Sequence, residues 1–227
     1  MKMPVLRILA LALLVSPAMA ASTLTFTLSG PGKIAYAGGV KPLIGTNIKV
    51  GTVSDGVSTF NLIGGKLNFT TGNFTTFIPG TSWVFSGGPS TTISLTATCI
   101  DSDHDGGACD GSDTTPSGAL LSGFFSGPDP TVNVGALNSR VSLAAFVDTK
   151  DPNLLALFGI PPSTFAGQFT INFLNGAVPP NAFTSTTIRP GTLTNLTPLI
   201  SEPASLALLG CGLLGLGLFA RKKLRVQ

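Results

Sequence analysis

Chemically versatile side chains are scarce in this 227-residue chain, which has one histidine, one tryptophan, one tyrosine and three cysteines. Glu202 is its only glutamate, and charged residues make up 10% of the sequence. Each shortage narrows the functions open to the chain. One histidine and few cysteines supply too few nitrogen and sulfur ligands for a zinc centre. A Ser-His-Asp triad would rest on His104 alone, and no strand-turn-helix nucleophile motif accompanies it. A glycosidase needs two carboxylates about 5–10 Å apart, and here both would have to be aspartates. The net charge of +3 comes from the two ends. Between Ala21 and Ile200 there are seven basic and nine acidic side chains, so the body is mildly acidic. A nucleic-acid binder needs a basic face that displaces counterions from phosphate; none is present.

The two ends are where the long apolar runs lie. In "MKMPVLRILALALLVSPAMA", Lys2 and Arg7 give a positive start and Val5–Val15 is otherwise apolar. Ser16-Pro17 breaks the run, and Ala18-Met19-Ala20 fits a small-x-small cleavage site. Residues 1–20 therefore read as a secretory leader engaging the translocon, too short to span a bilayer core of about 30 Å. At the other end, residues 204–220 carry no charge and would reach roughly 25 Å as a helix. That length suits a membrane span if Arg221 or Lys222 snorkels into the headgroups. Pro203 fits the first position of such a helix, and Glu202 suits its positive dipole end. Arg221, Lys222, Lys223 and Arg225 orient the span with the tail in the cytoplasm and the body outside.

Ser201-Glu202-Pro203, the Leu/Gly-rich span and the terminal basic cluster occur in this order. Together they resemble the PEP-CTERM sorting signal of Gram-negative bacteria that also make exopolysaccharide. The resemblance covers residues 201–227, with Ser201 standing where the family has its first proline. It implies processing by an exosortase, an intramembrane transpeptidase-like enzyme. It also implies a cell-surface or extracellular destination and an association with exopolysaccharide. The stretches "YAGGVKPLIGTNIKV" and "GGKLNFTTGNFT" are similar to the variable ectodomains of that family and bring no activity with them.

The body, residues 21–178, is rich in Gly, Pro, Ser, Thr and Asn, yet it keeps enough Phe, Ile, Leu and Val to build a core. Period-two alternation and turn residues predict strands at Thr23–Leu28, Ile44–Val53, Thr59–Ile63 and Lys66–Thr70, with Gly64-Gly65 turning a hairpin. Further strands are predicted within residues 81–88 and 91–100 and at Ala119–Phe125, Thr131–Val134, Arg140–Val147 and Gln168–Leu174. One short helix follows from Asp151 as cap, Pro152 at the first position, Leu154–Phe158 and a terminating Gly159. The expected fold is all-β, an antiparallel sandwich or jelly-roll-like ectodomain with that helix, plus the C-terminal transmembrane helix. Residues 179–200, polar with Pro and Gly, read as a stalk.

One stretch of the body is chemically pointed: "CIDSDHDGGACDGSD". Asp101, Asp103 and Asp105 alternate and Gly106 follows, as in the first half of a calcium loop, where alternate carboxylates converge and Gly allows the turn. Asp110 and Asp113 are further candidate ligands, while Ser112 occupies the position of the usual bidentate Glu. The rival reading is a solvated acidic loop. Export to an oxidising compartment predicts a Cys99–Cys109 disulfide around this run, adding about 2–3 kcal/mol by the chain-entropy model. His104 reads as an exposed loop residue, and Tyr36 and Trp83 as core or rim residues. Sequons at Asn68, Asn73 and Asn195 read as chance occurrences on exposed, Thr-rich surface.

The sequence therefore predicts an exported, membrane-anchored and then sorted surface or matrix protein that is not an enzyme. A calcium-dependent adhesion or carbohydrate-binding module is the alternative, and a secreted hydrolase the second alternative.

Overall fold

The computed structural model describes residues 22–135 and 139–196, apart from the side chains of residues 142–144. The leader, sorting motif, apolar span and basic tail lie outside the described residues. Among the described residues no helix is long and apolar enough to cross a membrane.

The protein is mostly β. Its strands are β1 (Thr23–Leu28), β2 (Lys33–Tyr36), β3 (Pro42–Ser54), β4 (Thr59–Ile63), β5 (Lys66–Ile78), β6 (Ser82–Phe85) and β7 (Thr92–Thr96). Then follow β8 (Cys99–Asp101), β9 (Leu121–Phe125), β10 (Thr131–Val134), β11 (Ser139–Lys150), the helix α1 (Pro152–Leu157), β12 (Phe165–Leu174), β13 (Phe183–Thr184) and β14 (Thr187–Leu196). Every strand pairing is antiparallel.

The ladders close on themselves. From β3 the pairing runs through β5, β7, β9, β11, β12, β14 and β1 and returns to β3. β3 makes this closure by changing partners along its length. Leu43–Thr46 pairs with β2 and Pro42–Lys49 with β5, while the end of the strand pairs with β1 and β4. Gly45 sits opposite Phe69, and a Cβ there would collide with the Phe69 ring. The bare glycine is what lets the ring lie flat across the strand.

Alternation sends Leu24, Phe26 and Leu28 of β1 inward, with Phe165, Phe169, Ile171 and Phe173 of β12. Tyr36 and Trp83 are buried in the core. Each finds a partner for its polar atom, as buried Tyr and Trp require. The Tyr36 hydroxyl donates to the Gly39 carbonyl at 2.5 Å and Trp83 Nε1 to the Asn181 carbonyl at 3.2 Å. Phe183 packs between Trp83 and Phe173, with ring centroids 4.9 and 5.6 Å away.

Two expectations need correction. Residues 179–200 are not a free stalk as far as they are described, because β13 pairs with β2 and β14 lies between β12 and β1. "TLTNL" alternates just as "TLTFTL" does in β1, so Leu193 and Asn195 point inward and are buried. Pro190 and Gly191 disguise the strand in sequence. They fall where the β12–β14 register shifts, two residues opposite Ile171, and a bulge is where a sheet tolerates proline. For the same reason Asn195 is not surface, and its sequon is inaccessible in the folded head.

The helix forms where expected. Asp151 Oδ1 accepts from the amides of Asn153 at 2.9 Å and Leu154 at 3.3 Å. Its Oδ2 accepts from the amide and hydroxyl of Ser117 at 2.8 and 2.6 Å. Burial opposes the carboxylate charge, but the bonds from Ser117, Leu154 and Asn153 prevail and lower the Asp151 pKa below its ordinary 3.8. A depressed carboxylate pKa stabilises the fold above the unfolded-state value, and that contribution is lost as pH falls through the depressed one. Asp151→Ala is expected to cost about 1–2 kcal/mol near neutral pH in urea unfolding. The gap from wild type should close as the pH is taken well below 3.8.

Candidate metal centre

The acidic loop is built outward from β8. Asn61, Leu62 and Ile63 of β4 pair with Asp101, Ile100 and Cys99, and Ile100 bridges to Thr114 on its other side. The chain thus leaves the sheet after Asp101 and returns at Thr114. Cys99 and Cys109 form the expected disulfide across this excursion, with Cα atoms 5.8 Å apart. The bond ties the middle of the loop to the strand that launches it.

Within the loop, Asp101, Asp103 and Asp105 each present a carboxylate oxygen, and these oxygens lie within 4.8 Å of one another. Asp103 and Asp105 are exposed, whereas Asp101 is 1% exposed. Asp101 Oδ2 accepts from Asn61 Nδ2 at 2.9 Å and from the Gly106 amide at 3.2 Å. Its Oδ1 is buried and has no partner. The Asn61 hydrogen bond, helped by the backbone amides of Gly106 and His104, outweighs desolvation and holds Asp101 below the usual carboxylate range.

The alternation that the sequence suggested is realised as a tight coil. The Asp105 amide donates to Asp103 Oδ1 at 3.2 Å and the Gly107 amide to Asp105 Oδ1 at 2.6 Å. His104 and Gly106 both take positive φ, +64° and +70°. The reversal at Gly106 brings its amide back onto Asp101, a conformation that favours glycine. The exposed His104 ring stacks on Phe60 at 5.2 Å, with planes 4° apart.

Asp110 and Asp113, expected as further ligands, lie outside the group of three. Asp113 accepts from the amides of Ser102 at 3.3 Å and Asp110 at 3.1 Å. Asp110 Oδ1 accepts from the Ser112 amide at 2.7 Å. These two carboxylates secure the return of the loop. Asp113 also lies beside Cys99 and Cys109, but both sulfurs are spent in the disulfide and offer no thiolate to a metal.

Hard cations take several oxygen ligands. Three carboxylates that each bring an oxygen to one place are donors of the hard type, suited to a cation such as calcium rather than to a softer ion.

A second polar cluster was overlooked in the sequence. In β11, Phe146, Asp148 and Lys150 alternate onto the inward face. Lys150 Nζ bonds Asp148 Oδ2, and both side chains are inaccessible to solvent. Asp148 Oδ1 accepts from Asn195 Nδ2 of β14 at 2.7 Å. Burial raises the Asp148 pKa to about 6 against the pull of Lys150, and lowers that of Lys150 to about 8 against the pull of Asp148. The readable signal was the pattern F-x-D-x-K, which puts charge on the buried side of a strand.

No family model matches this chain, and neither the curated proteins nor the solved structures contain a match to it.

Removing one partner of a buried ion pair strands the other. Lys150→Met is therefore expected to destabilise the protein by about 3–5 kcal/mol. The double variant Asp148→Leu/Lys150→Met should be more stable than Lys150→Met in the same urea titration, because it leaves no buried charge unpaired.

Proposed function

We propose that this chain is an exported, tail-anchored surface or matrix protein that acts by presenting a rigid β head rather than by catalysis. In this reading the head is the closed antiparallel ladder described above. A translocon exports it, the 204–220 span holds it in the membrane, and an exosortase-like enzyme cuts near Ser201-Glu202-Pro203. The head is then retained at the surface or released, in association with exopolysaccharide. The observation that carries this reading is the sequence order at the C-terminus: Ser-Glu-Pro, an uncharged run and then Arg221, Lys222, Lys223 and Arg225. Charged side chains that cannot cross the bilayer fix the direction of such a span. The closed ladder and the loop disulfide suit a protein that must last outside the cell.

The test is the intact mass of the surface-exposed protein in a host with an active exosortase. The expected product has lost residues 1–20 and ends near Glu202. A product retaining the whole tail to Gln227 rules out sorting by processing.

A second reading, that the head is also a calcium-dependent binding module, is favoured by the unpartnered Oδ1 of Asp101. Asp101, Asp103 and Asp105 supply the ion's protein ligands, and water completes the shell. With Ser112 in place of a bidentate Glu, the affinity belongs to the weak extracellular range of about 10⁻⁴–10⁻³ M. At 10–100 times the dissociation constant such binding adds about 1.4–2.7 kcal/mol, or roughly 3–10 °C in Tm for a chain of this size. The exported protein should therefore melt higher in excess calcium than in chelator, and Asp101→Asn should abolish the difference. An unchanged wild-type transition removes the calcium reading and leaves the sorting reading intact.

A further inference from the structure

The interior beside β12 holds three polar side chains of complementary chemistry. Counted as whole residues, backbone included, Lys150 is 8% exposed, Asp148 2% and Asn195 0%. Lys150 and Asp148 come from β11 and Asn195 from β14, with β12 between the two strands. One carboxylate touches both nitrogens. Asp148 Oδ2 meets Lys150 Nζ, and Asp148 Oδ1 accepts from Asn195 Nδ2 at 2.7 Å.

The surroundings are apolar and specific. Lys150 Nζ lies 4.3 Å from the Phe165 ring centroid and 5.8 Å from that of Phe26. Asn195 sits opposite Gly167 in the ladder, and a Cβ at Gly167 would collide with the Asn195 amide and the Phe146 ring. The missing side chain on the intervening strand is what lets Asn195 reach Asp148. Asn195 Oδ1 has no hydrogen-bond partner. A buried amide left half-satisfied beside an amine and an acid is a costly arrangement for stability alone.

We propose that Lys150 and Asn195 join in a self-catalysed intramolecular amide bond, Nζ to Cγ, with Asp148 as the proton-transfer group. The ammonium passes a proton to Asp148, and the freed amine attacks the Asn195 carbonyl carbon. The Nζ lone pair makes the new bond as the carbonyl pair moves onto Oδ1. When that pair returns, the Cγ–Nδ2 bond breaks and its electrons leave with nitrogen. Of the ammonium's three protons, one stays on the new amide, one leaves with Nδ2 as ammonia, and one stays on Asp148. The ion pair is replaced by a neutral acid beside a neutral amide. No oxidant, reductant or co-reactant enters.

The environment favours each step. Burial raises the Asp148 pKa and lowers that of Lys150, which narrows the gap that proton transfer between them must cross. The core excludes water that would solvate the amine or hydrolyse the product. Fixing nucleophile and electrophile in one packed interior supplies the orientation that an uncatalysed amide exchange lacks. The product also removes the burial cost of two charges.

The mechanical consequence follows from chain order. Asn195 is the last buried residue described before the predicted membrane tail. Tension on the tail would enter at the end of β14 and peel it from β1 and β12. A bond to Lys150 transfers that load to β11 instead.

The test is mass spectrometry of the full exported chain, reduced and denatured. The expected wild-type protein is lighter by one ammonia than its own termini dictate. A digest with a protease that cuts between residues 150 and 195 should yield a branched peptide containing Lys150 and Asn195. Lys150→Arg and Asn195→Ala should each restore the full mass and remove the branched peptide. Asp148→Asn should leave most of the chain unlinked. Wild-type Lys150 and Asn195 recovered in separate linear peptides overturn the proposal, whether or not any variant folds. Loss of ammonia at Asn195 in a linear peptide overturns it equally. An undiminished branched yield in Asp148→Asn overturns the role given to Asp148.

Discussion

Closure of the strand ladder is the constraint from which the rest of this structure follows. An antiparallel sheet of short, Thr-rich strands with little charge would expose unpaired edges, and exposed edges invite association with other chains. Here the last strand, β14, lies against the first, with Thr23 opposite Leu196. The long β3 then turns from β1 to β5 and completes the circuit. Once the ladder is closed, inward positions are protected on every side. Seven large aromatic and aliphatic side chains of the β1 and β12 faces can then be buried with only scattered charge elsewhere in the chain.

The same closure brings the two described ends of the head together at one end of a single strand pair. In the reading proposed above, the processed N-terminus and the membrane tether attach beside each other. The β1–β14 pair is then the part of the head nearest the point of load. Hydrogen-bonded strands pulled from one end open one pair at a time, so the stability of β14 matters more than the average stability of the head. Burying Asn195 and placing it against Asp148 and Lys150 concentrates strong interactions at that position. The cluster thus links β14, the described strand nearest the tail, to β11 two strands away.

Much of the fold was readable from the sequence because its governing signal is local. Alternation found the strands at Thr23–Leu28, Thr59–Ile63 and Thr131–Val134, and cap chemistry found α1 with Asp151, Pro152 and Gly159 in their roles. Alternation failed where the chain bends. β5 runs on past Thr70 to Ile78 through Gly72, whose amide bonds the Ser86 carbonyl at 2.8 Å, although Gly-Asn reads locally as a turn. β14 was hidden by Pro190-Gly191, which mark a linker in most contexts and a bulge in this one. Whether a proline ends a strand or merely kinks it depends on the partner strand, and the partner is not in the local sequence.

The acidic loop and the buried cluster differ in the same way. Asp101, Asp103 and Asp105 converge because they are close in sequence, so their spacing sufficed to find them. Asp110 and Asp113 were over-read, since proximity along the chain said nothing of the backbone amides that engage them. Asp148 and Asn195 are 47 positions apart in the sequence and meet across β12, where Gly167 leaves room for the Asn195 amide. Both polar clusters contain a buried oxygen without a donor, Asp101 Oδ1 in one and Asn195 Oδ1 in the other. An interior that satisfies Tyr36 and Trp83 with single well-placed carbonyls has no general shortage of partners. Asn175 Nδ2 is buried without a partner as well, so an unpaired atom points to a further demand only where other groups converge on it: in the proposals above, a cation at the loop and a covalent bond in the core.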